Sequence, residues 1–351
     1  MIDDLPPPIT GDAVWYGPEM ASRTDWIHEI TDEEVAEIEA AMRPLSDSGV
    51  EISTITKEDF PLPRFSARLH DAAQQMMHGR GFSLMRGLPI DRWSIRDAAT
   101  AYFGIGQHLG PVRPQNARGH ILGHVKDLGR DAEKDPLARV YETRERQGFH
   151  TDRSDVVSLL CLKTAKSGGA SSLVSSLTIY NEMYERAPDL LRVLFEPFPM
   201  DRRGEVAPGQ KEYSMTPVYS KCGGYVSAYY VPRYIQSANR FDDAPKLTQQ
   251  QKDALAMLDE LANDPAIHMD MTFLPGDIQW VYNHTTFHDR TGYEDWPEDE
   301  MKRHLLRLWV SLPGDRPLHD IYRDRWGEIE PGRRGGTYVA VDKLVTPLEA
   351  A

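Results

Sequence analysis

The run Gly148-Phe149-His150-Thr151-Asp152-Arg153-Ser154-Asp155, GFHTDRSD, leads directly into the apolar segment VVSLLCLKTA. It places a histidine and two carboxylates at the mouth of what reads as a buried strand, where unpaired charge is costly. Either the cluster is a solvated turn or it holds something. Residues two apart along a strand point to the same side, so His150 and Asp152 can present an imidazole and a carboxylate to one point, at metal bond lengths of about 2.0–2.2 Å. A lone His-x-Asp is a weak signal, and a third ligand is needed.

The rest of the chain frames that search. Its 351 residues are 40% hydrophobic and 27% charged, the balance of a soluble globular protein with a full core. That length admits one sandwich or barrel domain with added helices as readily as two domains. No apolar run approaches the roughly 20 residues of a membrane-spanning helix. The start MIDDLPPPIT lacks the basic end and apolar centre of a secretory signal, so the protein is expected to begin near Met1. Cys161 and Cys222 are the only cysteines, which argues against a disulfide framework and for a reducing cytoplasm. The net charge is −14, and residues 1–50, with 12 acidic residues against Arg23 and Arg43, carry −10 of it. Such a body repels a phosphate backbone, so nucleic acid is not an expected partner. The short RRGG at 333–336 reads as a loop.

Pro6-Pro7-Pro8 begins an extended arm, after which Thr31 and Glu34 form a capping box, with Ile30 stapled on Val35, for a helix to about Met42. RFSARLHDAAQQMMHG sets Phe65, Leu69, Ala72 and Met76 at helical spacing and stops at Gly79–Gly81. GFSLMRGLP reads as a short strand, and Ser94 opens the next helix. From about 148 onward the signals are short strands, VVSLLCL, GGYVSAYYV, MDMTFL, DIQWVY and RHLLRLWVSL, interrupted by helices near 178–195 and 248–263, the latter capped by Thr248 with Gln251. Without regular strand-helix alternation this favours a mainly β fold with added helices, an antiparallel sandwich or jelly roll, over a doubly wound sheet. An acidic arm and helix over 1–60 precede a main domain over 61–345. Residues 1–25 contain no candidate ligand, so the arm is expected to be dispensable for chemistry and to serve solubility or subunit contacts; a homo-oligomer stays open.

The third ligand comes from Gly276-Asp277-Ile278-Gln279-Trp280-Val281-Tyr282-Asn283-His284-Thr285-Thr286-Phe287-His288-Asp289-Arg290-Thr291, a turn, an aromatic strand and two histidines. Two histidines and a carboxylate on one face, with other positions open, form the facial triad of non-haem Fe(II) oxygenases. A jelly roll can bring such distant strands side by side.

GFHTD, SGGASSLVSS followed by Tyr180, GDIQWVYN with HDRT, and RHLLRLW stand in the order found in the taurine dioxygenase (TauD/TfdA-like) family of Fe(II)- and 2-oxoglutarate-dependent oxygenases, which the chain resembles over roughly residues 80–315. The resemblance implies a double-stranded β-helix and assigns His150, Asp152 and His288 as metal ligands. It leaves His284 as a hydrogen-bonding or core histidine. It also implies Fe(II), 2-oxoglutarate as co-substrate and O2, with succinate and CO2 released as a small molecule is hydroxylated, or desaturated or cleaved through hydroxylation. Halogenating relatives lack the carboxylate that Asp152 supplies, so chlorination is not expected.

In RHLLRLWVS, Arg303, Leu305, Arg307 and Trp309 fall on one face of a strand. Arginines on an apolar strand call for anionic partners, and a guanidinium fork suits the distal carboxylate of 2-oxoglutarate. By resemblance Arg307 is that clamp. Arg303, about 13 Å away at strand rise, is expected at the near end of the co-substrate or at the primary substrate, and the pair alone leaves the two roles exchangeable. Ser171 takes the place of a family threonine that hydrogen-bonds the same carboxylate. The segments 108–116 and 141–148 read as flanking loops with Arg113, Asn116 and Arg146 as substrate contacts, which suit an anionic small molecule while leaving neutral ones open. Two other classes share these residues: a Zn(II) hydrolase on the same ligands and a non-catalytic small-molecule-binding jelly roll.

Overall fold

The computed structural model describes residues 4–130, 139–341 and 343–350; Met1–Asp3, and with them the expected start of the protein, lie outside the described residues. Local chemistry sets the helix starts. Capping boxes pair Thr31 with Glu34 ahead of Asp32–Ser48, Ser94 with Asp97 ahead of Ile95–Gln107, and Thr248 with Gln251 ahead of Gln249–Asn263. Each satisfies backbone donors that a helix start leaves open. Phe65–His78 buries Phe65, Leu69, Ala72 and Met76 in one stripe, as their spacing predicts. The first long helix passes the expected stop at Met42 and runs to Ser48 through Pro44. Pro44 forfeits one helical hydrogen bond, but Ser46 Oγ donates to Asp97 Oδ1 at 2.6 Å and Arg43 lies 3.4 Å from the same carboxylate, so the last turn is anchored on the Ile95–Gln107 helix. The helix expected at 178–195 is two, Ser176–Arg186 and Pro188–Val193, because Pro188 disfavours helical backbone at Ala187.

The larger sheet has six strands in the order Ile27–Glu29, Phe82–Arg86, Ile278–Tyr282, Val156–Lys163, His304–Val310 and Gly123–Val125; the first pair is parallel and the others antiparallel. A smaller antiparallel sheet runs Met269–Met271, Ser171–Ser175, Thr286–Arg290. Side chains alternate across the larger sheet. Trp280, Tyr282, Leu306, Leu308 and Val310 join a core with the helices at 32–48, 65–78 and 95–107. Val281, Leu305 and Trp309 point the other way, into a layer shared with Leu173, Met271 and Phe273. This is the mainly β jelly roll, a double-stranded β-helix with added helices, and its inner layer is where the polar cluster sits. A bulge between His304 and Leu305 shifts the register at the start of the arginine strand.

The arm is bolted to this body. Trp15 is buried, its N–H donates to Thr178 Oγ1 at 3.0 Å and its indole to the Arg80 carbonyl at 2.8 Å. Ile9 and Asn181 exchange two hydrogen bonds of 2.8 Å, and the Tyr180 hydroxyl donates to the Pro6 carbonyl. Acidic composition concealed these contacts: the charges face outward while the apolar residues between them seal the Ser176–Arg186 helix, so the arm carries stability as well as charge. Among the described residues no helix is long and apolar enough to cross a membrane.

Candidate active site

A single antiparallel bridge brings His150 and His288 side by side: each N–H donates to the other's carbonyl at 3.0 Å, and the ring centroids are 4.2 Å apart. Asp152 turns in beneath them, with Oδ2 3.8 Å from His288 Nε2. All three side chains are buried, and their donor atoms lie within 4.8 Å of one another. GFHTDRSD is therefore no solvated turn. Its backbone is pinned by Gly148 N–H to Asp289 Oδ1 at 2.8 Å, Thr151 N–H to the Tyr230 carbonyl at 2.7 Å and Asp152 N–H to Asn283 Oδ1 at 2.8 Å. Asn283 in turn donates to the Ser154 carbonyl at 2.9 Å.

The electrostatics suit a divalent cation. His150 Nδ1 lies 2.9 Å from the Gly148 carbonyl, which places the proton on Nδ1 and leaves Nε2 as a lone-pair donor, the usual arrangement of a ligating histidine. Burial, reinforced by His150, pushes the His288 imidazole down to about 3, so that ring is neutral. Burial alone would raise the Asp152 carboxyl, but Arg307 and the two imidazoles hold it below the ordinary carboxylate range. Arg307 Nη1 is 3.8 Å away, too far for a hydrogen bond. A buried carboxylate with no bonded cation among the described residues, beside two imidazoles, is the donor set of the Fe(II) facial triad, and these residues fit the metal.

His284 belongs elsewhere. Its Nε2 meets Asp155 Oδ1 at 2.8 Å in a buried network where Arg334 donates to Asp155 at 2.6 Å and to Asp315 at 2.7 Å. Asp155 also accepts from Ser311 Oγ at 3.1 Å and the Leu312 N–H at 2.8 Å. The guanidinium already occupies the position of a cation there. The RRGG segment is a loop, as expected, yet its Arg334 is wholly buried in the core.

Two cavities meet at the His150–Asp152–Arg307 wall. The narrower is also lined by His288, Ser171, Arg303 and Arg290, with Val157, Leu159 and Phe273 as its apolar side. The wider, of about 260 Å3, leads away past Tyr141 and Trp309 to Tyr234 and a group of arginines. Arg307 lines both. It is fixed by Nε donating to Gln115 Oε1 at 2.7 Å and by the rings of Tyr141 and Trp309, 4.4 and 5.1 Å from its Cζ. Arg303 is buried over the Tyr293 ring, and its Nη1 has no hydrogen-bond partner among the described residues. Ser171 Oγ and the Gln279 carboxamide lie 3.1 Å apart.

The expected substrate contacts lie off the wide cavity. Arg113 Nε donates to the Gly335 carbonyl at 3.3 Å, Asn116 Oδ1 closes a turn by accepting from the N–H groups of Arg118 and His120, and Arg146 Nε donates to Asp289 at 2.7 Å. Arg139, Arg153, Arg203 and Arg325 line it instead. Of these, Arg153 alone stood inside a motif; the others are scattered through segments with no periodic or spacing signal. Asp289 and Arg290, directly after His288, were legible as neighbours but not as anchors.

The model of the Taurine catabolism dioxygenase TauD, TfdA family matches residues 42–309. The chain is 28% identical over 330 residues to FR-33289 synthase of Streptomyces rubellomurinus, covering 93% of this chain and 97% of that protein. It is 28% identical over 266 residues to uridine-5'-phosphate dioxygenase of an Amycolatopsis species, covering 70% and 91% respectively. Its fold is similar to asparagine oxygenase solved with Fe(II), 2S,3S-3-hydroxyasparagine and succinate, at a TM-score of 0.63 and 15% identity over 81% of this chain and 93% of the other. The triad between two jelly-roll sheets and the match across three quarters of the sequence lead to one conclusion: the chain belongs to the TauD/TfdA family and is a 2-oxoglutarate-dependent non-haem iron dioxygenase.

Proposed function

We propose that His150, Asp152 and His288 hold the iron, that 2-oxoglutarate occupies the narrow cavity with its distal carboxylate on Arg303 and Ser171, and that the wide cavity receives a small anionic substrate for hydroxylation. The observation that carries this reading is the buried Nη1 of Arg303, without a hydrogen-bond partner among the described residues, in the cavity that reaches the triad. Iron bound there supplies the redox chemistry that couples decarboxylation of 2-oxoglutarate, to succinate and CO2, to oxidation of the substrate.

The protein's own groups bind and orient. Arg303 and Arg290 put two cations in the narrow cavity; burial, with Arg303 beside it, lowers Arg290 to about 10, and a carboxylate relieves both. Val157, Leu159 and Phe273 suit the methylenes of the co-substrate. Arg307, held by Gln115 at the wall between the cavities and 3.8 Å from Asp152, is placed for the near end of the co-substrate or for the substrate. This exchanges the roles that resemblance implied for the two arginines. Two free cysteines are compatible with a reducing cytoplasm as the place of reaction. Anaerobic titration with Fe(II) and 2-oxoglutarate, read by the visible charge-transfer band of the chelate, tests the assignment: wild type develops the band, and its absence at saturating 2-oxoglutarate refutes it.

A further inference from the structure

The side chain of Gln147 holds the atom of His150 that a metal would claim. With the Nδ1 proton on the Gly148 carbonyl at 2.9 Å, His150 offers a lone pair at Nε2, and the carboxamide Nε2 of Gln147 lies 2.9 Å from that atom. A carboxamide nitrogen donates and does not accept, so Gln147 gives the lone pair a proton. One lone pair cannot serve an N–H and a metal ion together. The contact has a local cause. Residues three apart along a strand point to opposite sides, but Gly148 has φ +78°, a left-handed conformation open to glycine, and that turn brings Gln147 back to the ring of His150.

Displaced from His150, the carboxamide has a defined range. The main chain of Gln147 is pinned, its N–H donating to the Arg290 carbonyl at 3.1 Å while the next N–H, that of Gly148, is held by Asp289. Only the side chain can turn. Among the described residues, Tyr141, Gln147, His150, Asp152 and Arg307 line both cavities. Two of these are the proposed ligands, and Arg307 already gives its Nε–H to Gln115 at 2.7 Å. Gln147 therefore brings a neutral N–H donor to the junction of the cavities, beside the ligand atom of His150.

We infer that Gln147 exchanges partners when the site is loaded: its carboxamide N–H leaves the His150 lone pair to the metal and donates instead to the C1 carboxylate of 2-oxoglutarate. The exchange links two binding steps, since metal loading breaks one hydrogen bond of Gln147 and the co-substrate restores one. The new bond is the stronger, because its acceptor is charged. The inference rests on the placing of 2-oxoglutarate in the narrow cavity. It also differs from a plain supporting role. A residue that merely steadied the His150 ring would, when removed, weaken metal and co-substrate alike, whereas a residue that exchanges partners affects them in opposite directions.

The test is a pair of calorimetric titrations of the full chain after chelation, Mn(II) alone and then 2-oxoglutarate onto the Mn(II)-loaded protein, for wild type and for Gln147→Leu, which keeps the bulk and removes the donor. The variant should bind Mn(II) about 2- to 10-fold more tightly, because no N–H competes for the lone pair. It should bind 2-oxoglutarate about 10- to 100-fold less tightly, because a charge-assisted bond is gone. Any other pattern, including a loss of both affinities or an unchanged 2-oxoglutarate constant, overturns the inference. Crystal structures of wild type, without metal and with Mn(II) and 2-oxoglutarate, need no variant to fold: Gln147 Nε2 should move from His150 to within about 3.2 Å of a C1 carboxylate oxygen, and a carboxamide that stays on His150 or turns away from the co-substrate refutes the exchange. Wild type also separates the two readings. Normal binding of 2-oxoglutarate without the crossed pattern in the variant sinks this inference alone, whereas wild type that takes Mn(II) and no 2-oxoglutarate sinks the placing of the co-substrate and this inference with it.

Discussion

Asp289 accepts the main-chain N–H of Gly148 at 2.8 Å and the Arg146 side chain at 2.7 Å, so the residue next to His288 holds the start of the loop that carries His150 and Asp152, the other two proposed ligands. The two halves of the triad are positioned by one carboxylate. Asp289→Ala should therefore loosen His150 and Asp152 together and weaken metal binding by about 10- to 100-fold. Mn(II) titration of the folded variant checks it, and unchanged affinity would show that the His150–His288 bridge suffices.

Arg303→Leu should weaken 2-oxoglutarate binding by about 2–4 kcal/mol, the cost of leaving a buried carboxylate without its charge-assisted partner. That corresponds to roughly 30- to 1,000-fold in affinity. Arg307→Leu should cost clearly less 2-oxoglutarate affinity and instead uncouple its consumption from substrate oxidation. Dissociation constants from anaerobic titration of both variants decide the order, and a larger loss in Arg307→Leu would restore Arg307 as the clamp.

Arg334→Leu removes the guanidinium between Asp155 and Asp315. Two carboxylates are then left buried without their cation, a change that costs about 3–5 kcal/mol. Urea unfolding should show it as a lower midpoint at unchanged slope. A loss under about 1 kcal/mol, the worth of an exposed pair, would mean that water reaches the network.

Stability should fall as pH is lowered from 7 toward 5. Burial, with His124 beside it, pushes His304 down to about 3, against about 6.5 in an unfolded chain. Between those values the unfolded state takes up a proton that the folded state refuses, so the contribution of this neutral histidine is complete above pH 6.5 and shrinks below it. His304 Nε2 and His124 Nδ1 are 2.8 Å apart. Replacing His304 with Gln should flatten the dependence, as followed by denaturation midpoints at pH 5, 6 and 7.

Trp15→Ala should destabilise the protein by about 3–5 kcal/mol, the range for truncating a buried aromatic. The thermal midpoint is the measurement. A variant as stable as wild type would mean that the arm's contacts with the Ser176–Arg186 helix add no stability.

What could be read in advance was what short-range chemistry encodes. Thr31 with Glu34 and the stripe from Phe65 to Met76 announce their helices, and the alternation in DIQWVY and RHLLRLW announces strands with one face on each core. His150 and Asp152 could be paired because two positions along a strand share a side. The roles of Arg303 and Arg307 could not be told apart, because both lie on the same face and only the cavities on either side of Arg307 distinguish them. Arg139, Arg203 and Arg325 round Tyr234 gave no signal: they come from three separate segments and converge only when the chain is folded. Arg334 was hidden for a similar reason, since its partners Asp155 and Asp315 lie 179 and 19 positions away.

The loop that bears the triad is closed from behind by residues far along the chain: Gly336 N–H donates to the Arg153 carbonyl at 2.7 Å, and Arg334 grips Asp155. On the ribosome, the two proposed ligands His150 and Asp152 emerge well before the segment that fixes their backbone. A nascent chain arrested before Arg334 should therefore present His150, Asp152 and His288 without these rear contacts, and should bind a metal less well than the complete chain.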